Sequence, residues 1–246
     1  MPVHFPQSAH TRVFLSAFRQ SEKPIMKRIE HALLCLKDPG SAATHGIAMI
    51  LSLVAAILLL IRVSANPSPE KYAAFGIFSL SVFLLYCAST TYHSVKGSPH
   101  LTQILKKIDH MMIFFMIAGS YTPVCAIVLG NRTGWIMLAA VWGVALLGMG
   151  MNLLWINCPK WVSSVVYIAM GWICVFAFLK IKSALSEAEF ALLLSGGIIY
   201  TIGGVIYALK LPLFRRLPKY FGNHEIFHCF VIAGSVCHYS MMFLLA

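Results

Sequence analysis

Seven apolar runs constrain this chain more than any other feature, because each comes close to the roughly 20 residues a helix needs to cross a bilayer. They fall at about 44–62, 72–92, 108–129, 134–155, 162–180, 189–209 and 224–245. The connections carry turn or charge signals, among them Asn66-Pro67-Ser68-Pro69, Lys96-Gly97-Ser98-Pro99, Gly130-Asn131-Arg132 and Asn157-Cys158-Pro159-Lys160. Loops this short make neighbouring spans antiparallel. A bilayer offers no water to backbone N–H and C=O groups, so a spanning segment must satisfy them internally, as a helix does. The predicted fold is therefore all-α, an integral membrane bundle of seven transmembrane helices over residues 44–246. Composition agrees: 59% of the 246 residues are hydrophobic and only 11% are charged, where a soluble domain is about one quarter charged.

Residues 1–43 are read as a separate basic arm. Arg12, Arg19, Lys23, Lys27 and Arg28 fall in it, a short helix is expected around residues 26–36, and Lys37-Asp38-Pro39-Gly40-Ser41 is expected to break any helix before the membrane. The arm lacks the basic, apolar and small-residue order of a cleaved signal peptide.

Basic residues set the orientation. On the side of the N-terminal arm lie fourteen of the 19 Lys and Arg, including Lys96, Lys106, Lys107, Lys160, Lys210, Arg215, Arg216 and Lys219. Five lie on the other side, at Arg62, Lys71, Arg132, Lys180 and Lys182. The positive-inside rule then predicts a cytoplasmic N-terminus and a C-terminus outside. The net charge of +11 is thereby explained as a topology signal with some attraction to anionic lipid, and nucleic acid is not an expected partner. Seven scattered cysteines without a C-x-x-C pair exclude a disulfide framework and a thiolate metal site, and are read as small packing residues.

Ionisable side chains inside spans are expensive and mark candidate functional sites. Of the eight acidic residues only Asp109 and Glu225 fall in the spans, apart from Glu189 at the very edge of the sixth. The predicted topology brings His45, Ser89 with His93, Asp109 with His110, Asn152, and His224 with His228 to one depth near the inner leaflet. Asp109 and His110 are expected in the first turn of the third span. His224 and His228, four apart, share one face of a helix at ligand spacing. With His93 they make three histidines, a sufficient set for a catalytic zinc with an open fourth position. Ser89 shares a face with His93, and Asp109 is a candidate base, water-positioner or histidine-orienting partner, with helix capping as the competing role.

His224-Glu225-Ile226-Phe227-His228 also spells the H-E-x-x-H of zinc proteases. That reading lacks its third ligand. Val231 and Gly234 stand where the extended motif wants Gly and His, and no acidic residue follows Glu225. Glu225 is better read as an N-terminal charge favoured by the helix dipole.

Several of these motifs together resemble the hemolysin III family, the bacterial branch of the progestin and adipoQ receptor group. The resemblance rests on Ser89-Thr90-Thr91-Tyr92-His93, on Asp109-His110 with the Phe115 to Pro123 stretch, on His224 to His228, and on Gly234-Ser235-Val236-Cys237-His238. It covers about residues 37–246. It implies seven spans, a cytoplasmic N-terminus, and a zinc ion near the cytoplasmic face on His93, His224 and His228. Family serine and aspartate positions map onto Ser89 and Asp109. Relatives usually carry glutamate before the first span, and the nearest match here is Asp38. Adiponectin receptors and alkaline ceramidases share the constellation, and lipid amide hydrolysis is attributed to them.

The expected activity is hydrolysis of a lipid amide or ester by metal-activated water, with Asp109 as base or water-positioner and Ser89 at the oxyanion. The expected partner is a membrane lipid. The other readings are a receptor or regulator of lipid state with a structural zinc, and a hemolysin-like membrane-perturbing protein.

Overall fold

The structure, a computed structural model, describes residues 35–155, 159–209 and 221–246. Most of the basic arm, most of the short helix expected at 26–36, and the basic loop at 210–220 lie outside the described residues. Eight helices make up the described fold. They are α1 (Pro39–Val63), α2 (Pro69–Ser94), α3 (Pro99–Pro123), α4 (Arg132–Leu154), α5 (Lys160–Gly171), α6 (Phe178–Ala184), α7 (Glu187–Leu209) and α8 (Asn223–Leu245). A 3₁₀ turn, Ile173–Ala177, joins α5 to α6 in one span, and a π-helical segment, Val124–Leu129, extends α3. The result is seven helical spans long and apolar enough to cross a membrane.

The helix starts differ from the sequence expectation for one reason. Pro39, Pro69 and Pro99 do not break helices but open them, at the position where a missing N–H and a fixed φ suit the first turn. Ser68 and Ser98 cap α2 and α3, their hydroxyls accepting from the N–H groups of Lys71 and Leu101 at 3.2 Å each. So α1 begins at Pro39 rather than 44, and α3 at Pro99 rather than 108. Asp109 therefore does not sit in a first turn. It is ten residues past Pro99, about 15 Å along the helix at the usual rise, and it is buried. Capping a helix N-terminus is no longer open to it.

Helix α2 packs between α1 and α3, α7 pairs with α8, and contacts between α1 and α8 close the bundle. The third span is the central one, with 56% of its apolar window buried against 22% for the first. Phe75, Phe78, Tyr86, Phe114, Met241 and Met242 fill the interior, while Ile47, Leu58, Leu147 and Phe176 point outward. An apolar exterior of this extent is a liability in water and a requirement in lipid. The six described cysteines are free.

The break in the fifth span is repaired by a side chain. The Tyr121 hydroxyl donates to the Gly171 carbonyl at 2.7 Å and accepts from the Cys174 N–H at 2.9 Å. It thus serves backbone groups that the 3₁₀ turn leaves without helical partners. At the end of the third span, Gly130 turns the chain with φ of 54°, a left-handed conformation that glycine adopts without strain.

Candidate metal centre

The three histidines expected to converge do so. One ring nitrogen from each of His93, His224 and His228 lies within 4.8 Å of the others. The Nε2 atoms of His93 and His224 are 3.1 Å apart. Zinc–nitrogen bonds of about 2.0–2.1 Å at tetrahedral angles set two ligand atoms about 3.3 Å apart, so the donor set fits such an ion.

The local folding explains how each ring is aimed. Before α1 the chain runs back across the end of α2, where the last carbonyls have no helical partners. The N–H groups of Lys37 and Asp38 donate to the carbonyls of Ser94 and His93, at 3.3 and 2.8 Å. This docking carries the Asp38 carboxylate to His93, whose Nδ1 lies 2.9 Å from Oδ2. With Nδ1–H donating to the carboxylate, Nε2 is left as the free lone pair. Lys37 fixes the same corner. Its ammonium donates to the Tyr92 carbonyl at 2.9 Å and rests 3.2 Å from the centre of the Tyr92 ring. Burial lowers the basicity of Lys37, against the opposing pull of Asp38.

His228 is set by Thr44. The Thr44 hydroxyl donates to the carbonyls of Gly40 and Ser41, both at 3.0 Å. Its oxygen, 3.1 Å from His228 Nδ1, is then left to accept, which puts the proton on Nδ1 and frees Nε2. His45 stacks on a face of the same ring, with centroids 3.5 Å apart. His45 Nδ1 is 2.8 Å from the Ser89 hydroxyl, and Ser89 in turn faces the Asp109 carboxyl. A polar line thus runs from His228 through His45 and Ser89 to Asp109.

Glu225 is turned away from this line. It accepts from the Gly222 N–H at 2.8 Å, as a capping-box residue does, and it is hydrogen-bonded by Ser41. Asn152 and His110 also reach the cavity wall. His110 Nδ1 is bonded to the Lys106 carbonyl at 2.7 Å, and Asn152 reaches the Tyr167 hydroxyl at 3.5 Å.

One contributor escaped the sequence reading: Thr44 carried no signal except that it adjoins His45. Asp38 was matched to an acidic family position, but its contact with His93, 55 residues away, was not foreseen. The whole cluster opens onto a mostly apolar cavity of about 590 Å³ that extends between the helices past Tyr200 to His238.

The sequence profile described as Haemolysin-III related matches residues 34–239. The chain belongs to that family. Among its relatives are Hemolysin-3 of Bacillus cereus, 36% identical over 84% of this chain and 89% of that protein. The Hemolysin-3 homolog of Bacillus subtilis (strain 168) is 35% identical over 81% of this chain and 89% of its own length. The adiponectin receptor protein of Drosophila melanogaster is more distant, at 24% identity over 82% of this chain and 49% of the receptor. Like its haemolysin-III relatives, this is a multi-pass membrane protein. The matched range includes all three histidines, Asp109, and the Lys37–Asp38 docking segment.

Proposed function

We propose that the protein is a zinc-dependent hydrolase of a lipid amide or ester, with its centre on the cytoplasmic side of the membrane. The observation that carries this reading is a cluster of three aimed imidazoles opening onto an apolar cavity of about 590 Å³. His93, His224 and His228 would hold the ion. Zinc in such a site supplies a Lewis acid and brings the acidity of water near neutrality. Asp109 is the carboxylate suited to take a proton from the attacking water and return one to the leaving group. Ser89 has one proton and two neighbours, His45 and Asp109. It therefore fits positioning of that carboxylate better than donation to an oxyanion. The apolar walls would receive the hydrocarbon of the substrate and keep bulk water from the reacting bond.

A structural zinc would want a fourth protein ligand. The nearest carboxylates are otherwise engaged, Asp38 with His93 Nδ1 and Glu225 with Gly222 and Ser41. This favours an open, catalytic position. Fourteen of 19 basic residues on the side of the N-terminal arm support a cytoplasmic N-terminus and an outward C-terminus.

The test is a comparison of membrane lipids in cells lacking the protein, expressing it, and expressing Asp109→Asn. One lipid amide or ester should fall, and its cleavage products rise, only with the unaltered protein. Identical lipid profiles in all three would overturn the reading.

A further inference from the structure

The three-histidine cluster comes from α2 and α8, and it leaves polar groups on another wall of the cavity unexplained. That wall is built by α3, α4 and α5, and it carries Lys106, Asn152 and Ser164. Asn152 is 6% exposed and Ser164 only 3%. Among the described residues neither Asn152 Oδ1 nor Ser164 Oγ has a hydrogen-bond partner. Neither oxygen is sealed inside the protein, so the surface it keeps is surface of the cavity that both residues line.

Printed contacts tie these residues into one patch. Asn152 Nδ2 reaches the Tyr167 hydroxyl at 3.5 Å, and that hydroxyl donates to the His110 carbonyl at 3.2 Å. Residues three or four apart share a helix face, which sets Ser164 beside Tyr167 and Lys106 beside His110. Charge is unbalanced here. Lys106 is half-buried, and its ammonium meets no carboxylate or carbonyl among the described residues. Asp38 is paired with Lys37 and His93, and Asp109 with His110. An ammonium at the edge of an apolar cavity is stabilised by an anion, and a buried hydroxyl or amide by a hydrogen bond.

We propose that this wall is a headgroup subsite, with a lipid phosphate on Lys106 and Ser164 and a headgroup hydroxyl on Asn152 Oδ1. The inference rests on the hydrolase reading of the cavity and names its substrate class, an acyl derivative of a phosphorylated alcohol rather than a neutral lipid. A lysine ammonium is a point charge suited to phosphate, and the Ser164 hydroxyl has a proton to donate beside it. Asn152 Oδ1 accepts only, which suits a hydroxyl and not a phosphate oxygen. The carbonyl then meets the histidines while the leaving alcohol lies toward α3, α4 and α5.

The test uses purified full-length protein in a neutral detergent, with bound ligand counted by native mass spectrometry. The probes are an octadecyl ether of glycerol phosphate, the same ether of glycerol without phosphate, and inorganic phosphate. The ether linkage leaves no acyl bond to cleave. The phosphorylated lipid should bind roughly tenfold more tightly than its neutral counterpart, the gain of a charge-assisted hydrogen bond. Lys106→Gln should remove that gain and leave binding of the neutral lipid unchanged, and Ser164→Ala should remove part of it. Lys182→Gln takes the same charge from the last turn of α6 and should keep the gain. The comparison on the unaltered protein does not depend on any variant folding. Equal binding of the two lipids, a gain that survives Lys106→Gln, or one lost equally in Lys182→Gln overturns the headgroup subsite and leaves the hydrolase reading standing. Displacement of the phosphorylated lipid by millimolar inorganic phosphate would make this a free-phosphate site and overturn the lipid source. Failure of both lipids to bind overturns the lipid reading of the cavity and this proposal with it.

Discussion

The imidazoles of His45 and His228 lie face to face, their centroids 3.5 Å apart and their planes 10° from parallel. His45 thus braces one ligand ring while its Nδ1 holds Ser89 at 2.8 Å. A side chain that touches both a proposed ligand and the neighbour of the proposed base ties the two halves of the centre together.

Removing that brace should loosen the metal. His45→Ala is expected to weaken zinc binding about 10- to 100-fold, the usual effect of losing a support behind a ligand. Competition with a chromogenic chelator measures it. An unaltered affinity would reduce the stack to simple packing.

Asp38 offers a graded version of the same experiment. Asp38→Asn keeps an oxygen for the Nδ1–H of His93 but loses the charge, whereas Asp38→Ala loses both. Zinc affinity should fall in the order Asp, Asn, Ala, with the last about 10- to 100-fold below the first. Equal affinities across the three would mean that the docking of Lys37 and Asp38 onto α2 aims the ring without help from the carboxylate.

Metal content separates ligands from the proposed base. The double variant His93→Ala, His224→Ala should purify without zinc, while Asp109→Asn should retain one ion per chain and lose turnover. Elemental analysis of the purified proteins decides both. Absence of zinc from the unaltered protein at saturating supply would remove the basis of the hydrolase.

The hydrogen bonds of Glu225 to Gly222 and Ser41 predict a role in stability rather than chemistry. Glu225→Gln should leave zinc and turnover in place, since Gln still accepts from the Gly222 N–H. Glu225→Ala should cost about 1 kcal/mol through the lost cap, seen as a lower thermal midpoint. A Gln variant with zinc bound but no activity would restore Glu225 as a general base.

The span count, the all-α class and the meeting of His93 with His224 and His228 were legible in the sequence, because bilayer thickness and helical periodicity leave few choices. Helix starts were less legible. Pro39 and Pro99 read equally well as breakers and as first-turn residues, and only the capping contacts distinguish the two. That ambiguity misplaced Asp109 by about two and a half turns. Thr44 was obscure for another reason: nothing marks a lone threonine as the neighbour of a histidine 184 positions away, whereas His45 was placed at the right depth and Asp38 was matched to an acidic family position, each without its partner.

The cluster draws its parts from both ends of the spanning region, with Asp38, Thr44 and His45 at the head of the first span and His224 and His228 at the head of the last. During synthesis these arrive in that order, separated by most of the spanning region. Six spans can enter the bilayer with His93 already docked to Asp38, yet no three-histidine cluster exists until the seventh has been inserted. The site is therefore a record of completion: a prematurely released chain could resemble the mature protein through most of its helices and still lack the cluster.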